Sequence, residues 1–159
     1  QMSYVVMGVC GCGKSSTGQH LASKLNLNFL DGDDYHPASN VAKMAGGTPL
    51  DDDDRLPWLQ ILRNKLNDNE KVVIACSALK KSYRDILRVD GGEITFVYLK
   101  GSYEYFLSRM EARENHYMKS GMLQSQFAVL EEPAVGVEGG VVVVDVEGKS
   151  VEDITAEIN

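Results

Sequence analysis

The chain has 159 residues, with 16 Lys plus Arg against 23 Asp plus Glu and a formal net charge of −7. Hydrophobic residues make up 43% and charged residues 25%, which excludes a disordered chain and suits one domain spanning 1–159. The acidic balance speaks against nucleic acid as a partner, and no window approaches the ~18 apolar residues of a membrane helix.

Val5-Val6-Met7 is a short apolar run ending at a glycine-rich stretch and is predicted to be a buried strand. Residues 14–25 carry Leu21, Ala22 and Leu25 at helical spacing. Asn28 to Asp31 reads as a second strand, and Pro37 to Ala45 as a helix closed by Gly46-Gly47. The acidic run Asp51 to Asp54 favours the positive end of a helix dipole, and Leu59, Leu62 and Leu66 continue that helix as an apolar stripe. Val72 to Cys76 is a third strand, Lys80 to Val89 a helix, and Ile94 to Leu99 a fourth strand. Ser102 is placed to cap a helix reaching about Arg113, and a further helix runs from about Met122 to Leu130, before Pro133. Val141 to Val144 is the fifth strand, followed by a helix led by Ser150 with Asp153 at the capping-box position. Strands alternating with helices predict an α/β domain, a parallel sheet covered on both faces.

No basic segment precedes an apolar one in the manner of a leader, and Gln1 before Met2 reads as an expression or processing remnant. The 3 cysteines, Cys10, Cys12 and Cys76, are odd in number and sparse, so no disulfide framework is expected and the cytoplasm is the expected location.

Gly8-Val9-Cys10-Gly11-Cys12-Gly13-Lys14-Ser15 fits G-x-x-x-x-G-K-[ST] and sits between a predicted strand and a predicted helix. Its glycines allow consecutive backbone N–H groups to turn inward around a phosphate, and the helix N-terminus adds positive potential. Lys14 is expected to reach the β- and γ-phosphates of a nucleoside triphosphate, the Ser15 hydroxyl to ligate Mg²⁺, and Ser16 to complete the nucleotide site. Asp31 and Asp33 follow at the C-terminal end of the second strand, where doubly wound sheets bind ligands. One of these carboxylates suits Mg²⁺ or its waters, and the other the proton of an attacking hydroxyl; Asp33 is favoured for catalysis over Asp34.

Five cations form the remaining candidate set: Arg55, Lys80, Arg84, Arg109 and Arg113. Arg109 and Arg113 share a helix face and precede a polar stretch, so a lid over about 113–122 is expected to carry arginine toward the transferring phosphate. His36 beside Pro37 is either a donor at the helix entry or a ligand of a sugar hydroxyl. His20 and His116 lack metal-ligand spacing, and no zinc site is expected. Cys10 and Cys12 flank Gly11 at a helix N-terminus, a place that can lower a thiol pKa, although small loop residues are the favoured reading.

These blocks together resemble the gluconokinases. The resemblance runs through Gly8 to Ser15, Phe29-Leu30-Asp31-Gly32-Asp33, His36-Pro37, Asn40, Lys43-Met44 and Pro49-Leu50. It continues through Asp52-Asp53-Asp54-Arg55, Pro57-Trp58-Leu59, Cys76 to Lys81, Tyr83-Arg84-Asp85 and Tyr98 to Gly101, ending at Gln126-Phe127 and Leu130 to Pro133. It implies ATP-dependent phosphorylation of D-gluconate at the 6-hydroxyl, giving 6-phosphogluconate for the pentose phosphate pathway. It also implies the fold of the nucleoside monophosphate and shikimate kinases, a five-stranded parallel sheet with a mobile lid, and a homodimer. By the same resemblance Asp31 is the magnesium-side carboxylate and Asp33 faces the substrate hydroxyl. His36, Arg55, Lys80 and Arg84 lie around the sugar acid, and Arg109 and Arg113 at the lid base. Cys10 and Cys12 stand where the family pattern more often has serine, which leaves the backbone cradle intact and makes redox sensitivity an expectation to test.

A nucleotide-sensing switch is the remote alternative. Asn64-Lys65-Leu66-Asn67 ends in the wrong residue inside a predicted helix, and Asp145-Val146-Glu147-Gly148 follows it rather than preceding it. A mechanical ATPase is disfavoured because the strand ending at Cys76-Ser77 lacks a terminal acid. The nearest alternative is a shikimate-like or nucleoside monophosphate kinase of the same fold, set apart only by the family-specific blocks.

Overall fold

The computed structural model describes residues 2–68, 70–88, 93–112 and 119–158, with the side chains of Lys119 and Ser120 left aside. Five strands, β1 (Ser3–Met7), β2 (Asn28–Asp31), β3 (Val72–Ala75), β4 (Ile94–Lys100) and β5 (Val141–Asp145), form one sheet of order β2-β3-β1-β4-β5. Every pairing is parallel, with Val5 opposite both Ile74 and Phe96.

Side chains alternate across a strand, so a sheet buried on both sides needs apolar residues at every position. That is how β1 reads: Val5 and Met7 pack on one face and Val6 on the other. Helices α3 (Asp52–Leu66) and α4 (Lys81–Arg88) cover the Val5 face with Trp58, Leu59, Leu62, Leu66 and Leu87. On the Val6 face, Leu21 and Ala22 come from α1 (Lys14–Leu25) and Phe106 from α5 (Tyr103–Glu111). Leu123 from α6 (Lys119–Val129) and Ile154 from α7 (Val151–Ile158) complete it. Each fully buried leucine contributes roughly 1.5–3 kcal/mol, so the two faces supply most of the driving force for folding. Among the described residues no helix is long and apolar enough to cross a membrane.

Local signals set the helix ends. Ser102 Oγ accepts from the Tyr105 N–H and Ser150 Oγ from the Asp153 N–H. Asp51 and Asp54 form a reciprocal capping box at the start of α3. Helix α2 (Ala38–Ala45) begins one residue after Pro37, which stands at the cap. Helix α6 starts at Lys119, inside the expected lid; residues 113–118, with Arg113 and His116, lie outside the described residues.

The connection leaving β1 leads to β2, and the one leaving β3 leads to β4 on the opposite side of β1. Adjacent strands whose connections diverge open a crevice at their carboxyl ends, the ligand position of an open α/β sheet.

Candidate active site

The phosphate loop fills that crevice. Gly13 caps α1 with φ of +94°, a left-handed conformation open to glycine at no steric cost, and a Cβ at Gly11 would meet the Met110 side chain at 2.8 Å. Lys14 folds back, its Nζ donating to the Gly8 and Val9 carbonyls at 3.1 Å each. The Gly8 N–H donates to the Ser77 carbonyl at 3.3 Å, tying the loop to the end of β3.

A cavity of about 330 Å³ opens above the loop, lined among others by Lys14, Ser15, Ser16, Asp31, Asp33 and Gln126. Asp31 Oδ1 accepts from the Asp33 N–H at 3.0 Å, so the first carboxylate fixes the short 3-10 turn (Gly32–Tyr35) that presents the second. The Asp33 side chain is itself 82% exposed at the cavity mouth, so partial desolvation, and then the Asp31 carboxylate, raise its pKa only against strong solvent screening, with Lys14 opposing the shift.

His36 stands behind Asp33, with Nε2 4.0 Å from Asp33 Oδ1. Its ring stacks on Trp58 with centroids 4.2 Å apart, and Nδ1 pairs with Asn40 Nδ2 at 3.2 Å. Trp58 is pinned in turn by donating to the Gly32 carbonyl at 2.7 Å. Burial holds the His36 pKa below the ordinary histidine value, against the pull of Asp33. Burial thus disfavours the charged imidazole, while Asp33 favours it.

A second cavity, of about 670 Å³, adjoins the first and shares Ser77 and Gln126 with it. Arg55 and Lys80 line it beside Asp52 and Tyr83. Tyr83 Oη donates to Asp52 Oδ1 at 2.5 Å, Lys80 Nζ donates to the same oxygen at 3.2 Å, and Arg55 Nη1 donates to Tyr83 Oη at 3.2 Å. The bond from Tyr83, then that from Lys80, hold Asp52 below the usual carboxylate range. Asp52 gathers Lys80, Tyr83 and Arg55 around one anion, which presents two cations and a phenol on one wall.

Arg84, expected around the sugar acid, stands away from both cavities. Its side chain is 1% exposed and belongs to neither cavity wall. Nε donates to Glu138 Oε2 at 2.6 Å, Nη1 to the Ala78 carbonyl at 2.7 Å, and Nη2 to the Glu131 carbonyl at 2.8 Å. Arg84 thus ties the Ala78 carbonyl to the Glu131 carbonyl and Glu138. Ala78 has φ of +45°, a strained conformation for a non-glycine residue that these bonds hold in place.

Arg109 lies on α5 with its guanidinium over the Tyr105 ring at 5.7 Å and lines neither cavity. Cys12 is 1% exposed, and burial raises its pKa despite the nearby Lys14. Cys76 is buried likewise and pushed up to about 12. Within the described residues no cluster of three His, Cys, Asp or Glu could hold a metal. The near-miss switch motif at Asn64 to Asn67 ends α3 and caps it.

Asp52 and Gln126 were not singled out by the chemistry of the sequence. Asp52 sits in a run already explained by the helix dipole, and a lone Gln carries no pattern.

A family model described as shikimate kinase matches residues 10–158. The thermoresistant gluconokinase of Escherichia coli K12 is 47% identical over 148 residues, covering 91% of this chain and 84% of that protein. The gluconokinase of Gluconobacter oxydans is 43% identical over 144 residues, covering 85% and 81%. The crystal structure of a gluconokinase from Sinorhizobium meliloti superposes with a TM-score of 0.88 at 46% identity, covering 98% of this chain and 88% of that one. Shikimate kinase from Acinetobacter baumannii, at 19% identity and a TM-score of 0.65, shares the fold alone.

Proposed function

The chain belongs to the gluconokinase family, within the shikimate kinase-like group of phosphate-loop kinases, and we propose that its two adjoining cavities transfer phosphate from ATP to D-gluconate. One observation carries the reading. A phosphate loop with carboxylates lines one cavity, Arg55 and Lys80 line the next, and Ser77 and Gln126 are common to both.

The nucleotide phosphates lie on the loop N–H groups at the start of α1. Lys14, which rests on the Gly8 and Val9 carbonyls, swings to the phosphate oxygens. Arg55 or Lys80 takes the gluconate carboxylate, which leaves the 6-hydroxyl at the far end of the sugar chain directed toward Asp33. Asp33 accepts the hydroxyl proton as the oxygen bonds to the γ-phosphorus and the bond to the bridging oxygen of ADP breaks. A positioned general base of this kind contributes typically about 10²–10⁴-fold. Arg109 and Arg113 remain assigned to the lid base, where they would meet the charge on the transferring group.

The donor set fits Mg²⁺. A hydroxyl (Ser15) and a carboxylate (Asp31) border the phosphate cavity, the kind of site in which Mg²⁺ keeps waters and phosphate oxygens. When bound, the ion neutralises phosphate charge. A single kinase domain, a homodimer and a cytoplasmic location complete the proposal, the last supported by a cysteine count of 3, odd and sparse.

A coupled ADP-release assay with gluconate, shikimate and nucleoside monophosphates tests the assignment. Turnover is expected with gluconate and near background with the others. Preference for shikimate or a nucleotide would replace the substrate while keeping the kinase.

A further inference from the structure

Gln126 connects the two cavities in a way the reaction alone does not require. It projects from α6, and its Oε1 accepts a 2.7 Å hydrogen bond from the Cys10 N–H, 116 residues away. That N–H belongs to the phosphate loop, whose amides exist to receive phosphate oxygens. A neutral carbonyl oxygen therefore occupies an acceptor position on the loop. The same side chain is also a wall of the cavity that holds Arg55 and Lys80. Other residues of α6 divide between the cavities: Met122 lines the first, Ser125 and Val129 the second.

We propose that Gln126 is a positioning residue that nucleotide phosphates displace from the phosphate loop, freeing its carboxamide to bind the acid substrate in the adjoining cavity. With the nucleotide site empty, Cys10 N–H and Gln126 Oε1 satisfy each other. A phosphate oxygen is the stronger acceptor, because a hydrogen bond to an ionised group is roughly twice as strong as a neutral one. Once released, the carboxamide lies at the boundary shared by the cavities and offers both a donor and an acceptor to a polyhydroxy acid. Nucleotide binding thus prepares the acid site, and by reciprocity the acid tightens nucleotide binding by the same factor. The inference rests on the gluconokinase reading for the identity of the second ligand and on the Cys10 contact for the latch itself.

The test is calorimetric titration of the full chain with the non-hydrolysable analogue AMP-PNP and with gluconate, each alone and in the presence of the other. Wild type is expected to bind gluconate at least about fivefold more tightly with AMP-PNP present, the lower end of ordinary coupling. Gln126→Leu removes the competing acceptor and should bind AMP-PNP about two- to tenfold more tightly, the equilibrium worth of one hydrogen bond. Its coupling to gluconate should fall below about twofold. Gln126→Glu keeps an acceptor on the Cys10 N–H but sets a negative charge against the phosphates, and should bind AMP-PNP at least about tenfold more weakly. Weaker or unchanged AMP-PNP binding by Gln126→Leu, or coupling retained at the wild-type factor, would overturn the proposal. Absence of gluconate binding in wild type would defeat the substrate reading, and the AMP-PNP titrations of the two variants would still decide the latch.

Discussion

Arg84 and Glu138, 54 residues apart in sequence, meet in a buried ion pair with Nε 2.6 Å from Oε2. Arg88 Nη2 reaches the same oxygen at 2.6 Å, and its guanidinium covers the Phe96 ring at 4.4 Å. One carboxylate thus joins α4 to the segment that leads into β5. Burial opposes ionisation of Glu138, but the hydrogen bonds from the two arginines prevail and hold its pKa below the usual glutamate value.

Removing Glu138 strands a buried guanidinium, so Glu138→Ala should lose about 3–5 kcal/mol of stability by urea unfolding. The pH dependence has a definite sign. A carboxylate with a depressed folded pKa stabilises the fold above its unfolded pKa and loses that contribution as pH falls through the folded one. Wild type should therefore weaken between the ordinary glutamate value and lower pH, and the difference between wild type and Glu138→Ala should shrink over the same range. A constant difference down to acid pH would mean that the charge is not what holds the pair.

Asp33→Asn should lower kcat by about 10²–10⁴-fold with little change in ATP affinity. The amide keeps the shape but takes no proton. Because Asp33 is raised above the ordinary value, the acid limb of kcat/KM should lie above the pH expected of a free aspartate. If KM for ATP moved and kcat did not, the base role would pass to Asp31.

Arg55→Ala should cut kcat/KM for gluconate by roughly ten- to hundredfold, the equivalent of about 1.5–3 kcal/mol for a hydrogen bond to a charged group. Glucose and sorbitol, which lack the carboxylate, should be poor substrates for wild type and change little in the variant. An unchanged preference would move the carboxylate contact to Lys80, which shares the wall.

The fold was legible because its signals are local. Val5-Val6-Met7 announces a strand buried on both faces, Ser102 and Ser150 announce helix starts, and the loop from Gly8 to Ser15 announces its own chemistry. Charge was harder to read. Arg55 and Arg84 are the same residue type, each on a helix, and only the distant Glu138 sets them apart, by drawing Arg84 into a buried ion pair. The run Asp51 to Asp54 hides a division of labour that spacing does not reveal: Asp51 and Asp54 cap α3, while Asp52 holds Tyr83 and Lys80. Cys12 shows the limit of a helix N-terminus as a guide to reactivity, since burial outweighs it.

Transfer of phosphate to the 6-hydroxyl of gluconate is read directly by proton-coupled phosphorus NMR of the chain incubated with ATP, Mg²⁺ and gluconate. The 6-position is a CH₂–O–P ester, so its phosphorus signal splits into a triplet. A new triplet growing in step with ADP is the predicted result. A doublet, which marks a secondary hydroxyl, or consumption of ATP with no new ester, would contradict it.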